Sequence, residues 1–168
     1  KYHQQKEDIN RLVGEINSQM THDGWAPIFH IYRSFDRREL ISHYRAAEMV
    51  LITPIKDGMN LVAKEYIASN IEEKGIVILS EFAGAAAQLC HEAILVNPYD
   101  TVGLAEAIHK AMTMPAKERK QRMRKMRREV KKYDIFWWVE NFLRAAISKE
   151  LKDFPLIIEY IPTNDTEG

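Results

Sequence analysis

Residues 49–79 read MVLITPIKDGMNLVAKEYIASNIEEKGIVIL, and the fold class follows from the pattern of their apolar residues. It opens with a continuous apolar run, residues 49–53, and closes with a second one, residues 75–79. Runs of this kind are typical of strands that are covered on both faces in parallel sheets. The residues between them, 58–70, are predicted to form a helix. The stretch therefore predicts a strand–helix–strand unit with a right-handed crossover.

The alternation of helices and strands continues on both sides. Upstream, the spacing of apolar residues predicts an amphipathic helix over the first twenty residues, laid on something apolar, and a short strand over 27–32. A helix whose buried face includes Leu40, Ile41 and Tyr44 follows. Downstream, a last strand is predicted over 93–96, and then helices from Asp100 or Thr101, over 115–132 and over 135–147. We expect one α/β domain over residues 1–150, with a parallel sheet flanked by helices, and a C-terminal tail over 151–168.

Composition excludes several classes of protein. The 168 residues carry 24 Lys and Arg against 24 Asp and Glu. The chain therefore lacks the net basic charge that is typical of a nucleic-acid binder. Cys90 is the single cysteine, which excludes an internal disulfide framework and fits a reducing cytosol. No apolar run approaches the ~18 residues of a membrane span. The six His show no metal-ligand spacing. The chain starts at Lys1 without the strand that usually opens such a domain, so we expect it to be part of something longer.

The segment from Lys56 to Glu65 is the first candidate site. It follows a buried strand directly and opens a helix, and the helix N-terminus offers free N–H groups to an anion such as a phosphate. Gly58 allows close approach of the backbone to a ligand. Asp57 and Glu65 could accept hydrogen bonds from sugar or ribose hydroxyls, eight residues apart on nearly one helix face. The alternative is structural: Asp57 caps a helix, and Lys64 and Glu65 form a solvated face.

Two further segments allow alternative interpretations. Residues 80–87 (SEFAGAAA) could line the same crevice with bare backbone, or could begin a closely packed helix. Residues 117–132 hold ten of the 24 basic side chains, with Met123, Met126 and Val130 at helical spacing. A solvated helix face with an apolar stripe is favoured there over a nucleic-acid patch, because no aromatic residues interleave for base stacking.

Three segments together resemble a known family. Residues 57–66 (DGMNLVAKEY), 79–86 (LSEFAGAA) and 95–100 (LVNPYD) are similar to successive signatures of the trehalose-6-phosphate synthases, which are retaining glycosyltransferases of the GT-B fold. The resemblance extends over roughly residues 5–148. The glucosylglycerol-phosphate synthases share these segments, so the resemblance indicates the family more firmly than the acceptor.

The resemblance implies that this chain forms much of the C-terminal, Rossmann-like domain, which binds the nucleotide-sugar donor. Glucose would pass from a nucleoside-diphosphate glucose to glucose 6-phosphate, giving trehalose 6-phosphate, or to glycerol 3-phosphate. Asp57 would bind the glucose hydroxyls and Glu65 the ribose hydroxyls, with Glu81 near the site. Backbone contacts around the glucose and the diphosphate would come from Gly58, Met59, Asn60, Leu61 and Val62.

The resemblance also implies what lies elsewhere. The family's Arg and Lys that clamp the diphosphate, its acceptor-binding domain and its His near the reacting centre are all upstream of the matching segment. We therefore expect no catalytic residue within this chain, and only weak donor binding without turnover by these 168 residues alone. No cofactor, metal, nucleic acid or membrane is expected, the location is expected to be cytoplasmic, and homo-oligomer formation is left open. A non-catalytic regulatory or nucleotide-binding module is the competing hypothesis.

Overall fold

The structure is a computed structural model that describes residues 2–148 and divides the chain into two units, Lys1–Asp36 and Arg37–Gly168. The first unit contains helix α1 (Tyr2–Met20), as predicted. Its apolar stripe is not buried, since Ile9 and Leu12 remain nearly half exposed.

The strand predicted over 27–32 is wrong for the described residues. The Asn17 side chain donates to the Ile28 carbonyl at 2.8 Å and accepts from the Ile28 amide at 3.1 Å, so one amide group replaces a strand neighbour here. A strand requires a neighbouring backbone to pair with, and within residues 2–148 none pairs with this segment. Phe29 and Tyr32 consequently stay exposed.

The second unit is built on a parallel three-stranded sheet whose strands pair in their order along the chain, so the predicted fold class is confirmed. Ile52 of the first strand pairs with Leu79 of the second, and Ser80 of the second with Val96 of the third. Along the chain the elements are α2 (Arg37–Ala46), β1 (Met49–Ile52), α3 (Leu61–Ser69), β2 (Ile76–Ser80), α4 (Ala86–Leu89), β3 (Ile94–Val96), α5 (Thr101–Thr113), α6 (Ala116–Lys132) and α7 (Ile135–Ser148).

Each face of this sheet carries its own core. Alternate residues of β2 point to opposite faces, so Val77 and Leu79 pack with α3 and α6, whereas Ile76 and Ile78 pack with α5. All five residues of β2 are buried, as expected for a strand covered on both sides. In β1 the same expectation is wrong for Leu51, which is 43% exposed. The reason is that α5 packs over β2 and β3.

Helix α6 is attached to the core by both its apolar and its basic side chains. Met123 and Met126 are fully buried, as their spacing predicts. The basic residues do more than face solvent: Lys125 lies 2.9 Å from the carboxylate of Glu92, and Arg127 donates to two carbonyls at the end of α3. Much of the basic run therefore anchors the helix to its own domain.

Within residues 2–148, no helix has the length and apolar character needed to cross a membrane. The predicted tail, residues 151–168, lies outside the described residues.

Candidate functional site at the carboxyl edge of the sheet

The loops that follow β1 and β2 are joined at the carboxyl edge of the sheet. Asp57 and Ala83 form an isolated parallel bridge beyond the ends of the two strands, and the Gly84 amide donates to the Asp57 carbonyl at 2.7 Å. One strand further, the Glu81 amide donates to the Val96 carbonyl at 3.0 Å. In open α/β sheets the ligand crevice lies at this edge. The structure thus brings together the segments that carry Asp57 and Glu81.

Two glycines in these loops have different surroundings. A Cβ on Gly84 would collide with the carbonyl of Gly58 and would lie 3.0 Å from the Met59 amide nitrogen. A Cβ on Gly58 would meet nothing within 4 Å. Gly84 is therefore required for the contact between the loops, whereas Gly58 borders open space from which a ligand can approach the backbone.

The Asp57 carboxylate organises the turn that precedes α3. Its Oδ1 accepts from the amides of Met59 at 3.1 Å and Asn60 at 2.9 Å, and its Oδ2 accepts from Asn60 Nδ2 at 2.7 Å. The Met59 amide, followed by the Asn60 side chain, holds the pKa of Asp57 below its ordinary value, because these donors stabilise the charged form. Asp57 is thus an anion already engaged by its own loop.

Asn60 sets where the helix begins. It has a left-handed backbone, with φ 60°, and its Oδ1 accepts from the Ala63 amide at 2.9 Å, which makes it the N-cap of α3. The prediction of a helix from Gly58 is therefore wrong, because residues 58–60 form the turn held by Asp57. The predicted placement of Asp57 and Glu65 on one helix face fails for the same reason, since Asp57 precedes the helix. The structural alternative for Asp57 was a helix cap. Its carboxylate does cap backbone amides, but these are the amides of the turn and not those of the helix.

The first turn of α3 presents unused donors. Within residues 2–148, no group accepts a hydrogen bond from the amides of Leu61 and Val62, as is usual for the first residues of a helix. Both side chains are exposed, at 59% and 44%. Asn60, by contrast, is buried. These two amides and the positive end of the helix dipole can receive an anion such as a phosphate.

Glu65 lies one turn further along α3, and its side chain is exposed. The Tyr44 hydroxyl, from α2, donates to Glu65 Oε2 at 3.1 Å. Burial, together with this hydrogen bond, raises the pKa of Tyr44 to about 12, so the hydroxyl stays protonated and remains a donor. In the part of the chain that the structure describes, no group donates a hydrogen bond to the other oxygen of Glu65, Oε1.

The hydrogen bonds of Asp57 leave limited room for a ligand. An ionised carboxylate has about four acceptor positions, two on each oxygen. Two donors occupy Oδ1 and one occupies Oδ2. One further position, on Oδ2, is available to a sugar hydroxyl.

A cavity among the described residues lies away from these loops. It has a volume of about 440 Å³ and is lined by residues 45–48 together with Asn70, Glu72 and Lys74. These residues precede β1 and β2, so the cavity lies at the amino edge of the sheet, opposite the loops described above. Its charges partly neutralise each other, because Arg45 and Glu72 form an ion pair.

A profile of the family described as Glycosyltransferase family 20 matches residues 1–148. The chain belongs to glycosyltransferase family 20. Among curated relatives, the trehalose-6-phosphate synthase of Mycolicibacterium vanbaalenii is 43% identical over 145 residues, which cover 86% of this chain and 29% of that protein. A bifunctional trehalose-6-phosphate synthase/phosphatase of Thermoproteus tenax is 42% identical over 147 residues, covering 88% and 20%.

Solved structures of family 20 members share this fold. The crystal structure of a UDP-forming alpha,alpha-trehalose-phosphate synthase from Burkholderia vietnamiensis superimposes with a TM-score of 0.81 at 38% identity, over 88% of this chain and 32% of that one. A structure from E. coli bound with UDP-2-fluoro glucose gives a TM-score of 0.81 at 36% identity, over 96% and 34%. The resemblance to the trehalose-6-phosphate synthases and the Rossmann-like GT-B fold class are thereby confirmed. This family 20 chain spans about a third or less of the length of these relatives.

Sequence reasoning missed two residues of this candidate site, Gly84 and Tyr44, and it missed the capping role of Asn60. Gly84 lay in a segment noted as rich in small residues, which is the signal that could have found it. The sequence predicts Asn60 inside the helix, because nothing in the residue spacing indicates a left-handed N-cap at this position. Tyr44 was assigned to a buried helix face, and nothing in the sequence pairs it with Glu65, 21 residues away.

Proposed function

We propose that this chain forms the donor-binding part of a retaining glycosyltransferase, which transfers glucose from a nucleoside-diphosphate glucose to glucose 6-phosphate and so yields trehalose 6-phosphate. One observation carries the proposal: the Asp57 turn at the carboxyl edge leaves the amides of Leu61 and Val62 open to a diphosphate. Asp57 and Glu65, on either side of these amides, each keep an acceptor position for a hydroxyl.

The chemistry needs charge stabilisation at the leaving group. The bond between the anomeric carbon and the diphosphate oxygen breaks, a bond from that carbon to an acceptor hydroxyl oxygen forms, and the hydroxyl proton is released. Negative charge grows on the departing diphosphate, where preorganised N–H donors and a helix N-terminus act most strongly. In the proposal, the amides of Leu61 and Val62 meet the diphosphate, Asp57 Oδ2 accepts from a glucose hydroxyl, and Glu65 Oε1 accepts from a ribose hydroxyl.

The relatives support the choice of substrates. The E. coli structure is described as bound with UDP-2-fluoro glucose, and a UDP-forming synthase from Burkholderia xenovorans as in complex with glucose-6-phosphate. The donor in the proposal is accordingly UDP-glucose, and the acceptor glucose 6-phosphate.

The proposed reaction needs no metal ion or cofactor, since the helix N-terminus can stabilise the diphosphate by itself. Turnover that persists in a chelator supports this, and turnover that requires an added divalent cation contradicts it. The proposed location is the cytoplasm, which the single Cys90 favours.

The deciding experiment titrates the complete gene product with UDP-glucose, ADP-glucose and GDP-glucose, and then adds an acceptor. We expect UDP-glucose to bind, with Glu65→Gln and Gly58→Ala each weakening binding and Gly14→Ala as a matched control without effect. With glucose 6-phosphate, the anomeric configuration of the product, read by NMR, should be retained. Absence of nucleotide-sugar binding, or an inverted product, overturns the proposal.

The same assay separates the competing functions. Turnover with glycerol 3-phosphate but not with glucose 6-phosphate indicates a glucosylglycerol-phosphate synthase. Donor binding without turnover on either acceptor indicates a non-catalytic module. The 168-residue chain by itself, assayed in parallel, is expected to bind the donor weakly and to show no turnover.

A further inference from the structure

We propose that Tyr44 is a positioning residue for donor binding, which holds one oxygen of the Glu65 carboxylate so that the other meets the ribose hydroxyls. The inference rests on the proposed function, because it assumes that Glu65 binds the donor. It is carried by the 3.1 Å hydrogen bond from the Tyr44 hydroxyl to Glu65 Oε2, with Oε1 accepting no hydrogen bond from the described residues.

Tyr44 is itself held firmly. Its ring lies edge-on to the ring of Tyr66, with 6.2 Å between centroids and an interplanar angle of 87°, and it packs against the core beneath α3. Tyr66 is fully buried, and its hydroxyl donates to the Ala47 carbonyl at 3.0 Å. The hydroxyl that donates to Glu65 is thus held in place by the packing of Tyr44 against the core.

The hydrogen bond from Tyr44 should raise the affinity for the ligand by limiting the rotamers of the Glu65 side chain. An exposed Glu side chain samples many rotamers and loses them when it binds a ligand, which weakens affinity. Because the rigid Tyr44 hydroxyl already holds the Glu65 side chain before the ligand binds, part of that loss is avoided. The contact joins α2 to α3, so a purely structural role between the helices is the alternative that a test must separate.

The test compares two ligands in the complete gene product: UDP-glucose and its 2′,3′-dideoxyribose analogue. Tyr44→Phe removes the hydroxyl and keeps the ring. We expect it to weaken UDP-glucose binding about three- to tenfold, the value of one hydrogen bond, and to leave binding of the analogue unchanged. In a Glu65→Ala background, Tyr44→Phe should add no further loss. The matched control is Tyr66→Phe, which should lower the melting temperature and leave the ratio of the two affinities as in the wild type.

The outcomes distinguish the inference from the proposed function. If Glu65→Ala lowers the preference for the ribose form but Tyr44→Phe does not, the inference is wrong and the proposed function stands. Equal weakening of both ligands by Tyr44→Phe also overturns it, because it indicates a structural role only. If the wild type binds no nucleotide sugar, or Glu65→Ala leaves the preference unchanged, the donor site itself is wrong and the inference falls with it.

Discussion

The amide of Gly84 donates a hydrogen bond to the carbonyl of Asp57 across 2.7 Å, and this bond joins the loops after two neighbouring strands. The same Asp57 residue receives the amides of its own turn on its carboxylate. Its main chain is therefore fixed by one loop and its side chain by another. The orientation of the helix N-terminus at the site depends on both.

Replacing Gly84 by alanine should separate the loops. The added Cβ would collide with the Gly58 carbonyl, which is backbone and cannot move aside as a flexible side chain does. We expect Gly84→Ala to lower the free energy of unfolding by about 1–3 kcal/mol, as for other overpacked sites. Urea denaturation of the chain measures this change, and nucleotide-sugar titration should show weaker binding.

The matched variant is Gly58→Ala, in which the added Cβ meets only open space. Its free energy of unfolding should stay within about 0.5 kcal/mol of the wild type. Its donor affinity should nevertheless fall, because the methyl group occupies the side from which a ligand approaches. Equal stability losses in the two variants would contradict the different surroundings assigned to these glycines.

A pair of substitutions at Asn60 should separate its backbone from its side chain. Asn60→Gly removes the cap on Ala63 but tolerates φ 60°, so we expect a loss of about 1 kcal/mol or less. Asn60→Ala removes the same hydrogen bonds and adds left-handed strain, so we expect about 2–3 kcal/mol. Both are read from urea denaturation midpoints. A glycine variant as unstable as the alanine variant would show that the backbone does not need the left-handed conformation.

The strand–helix–strand core could be predicted because its signal is local. The apolar runs at 49–53 and 75–79 indicate buried strands without knowledge of their partners, and β1 and β2 occur within a residue of both. Residues 27–32 have a similar composition, yet they form no strand, because the described residues supply no backbone for them to pair with. Strand propensity and strand pairing are therefore separate requirements.

The sequence predicts where the candidate site lies, but it predicts only part of the geometry of that site. That a loop after a buried strand would present a helix N-terminus followed from topology, and Leu61 and Val62 do carry open amides. The start of that helix depends on three hydrogen bonds to one carboxylate, which residue spacing does not specify. The contact of Tyr44 with Glu65 depends on how two helices pack, and so it lies outside any pattern along the chain.

The charge of Asp57 should persist at unusually low pH. Its folded-state pKa lies below the ordinary value of about 3.9, chiefly because of the Met59 amide and then the Asn60 side chain. The ionised carboxylate therefore contributes stability above pH ~3.9, and that contribution is lost as the pH falls through the lowered folded pKa. A ¹³C NMR titration of the Asp57 carboxyl measures the pKa directly. In Asn60→Gly, one donor is gone and the pKa should rise. An ordinary pKa in the wild type would contradict the hydrogen-bonded turn.

Arg127 should stabilise the domain by capping the end of α3 opposite to the candidate site. Its guanidinium donates to the carbonyls of Ile67 at 2.9 Å and Ala68 at 2.7 Å, which are among the last carbonyls of α3. The Ile67 carbonyl also accepts from the Asn70 amide, at 3.3 Å. We expect Arg127→Met to lower the free energy of unfolding by about 1–3 kcal/mol, because charged donors make the stronger hydrogen bonds. Arg128→Met removes an exposed neighbour of equal charge and should change stability by less than about 0.5 kcal/mol. Urea midpoints that fall equally in both variants would assign the effect to the charge of α6 as a whole rather than to the cap, since Arg127 donates to these carbonyls and Arg128 does not.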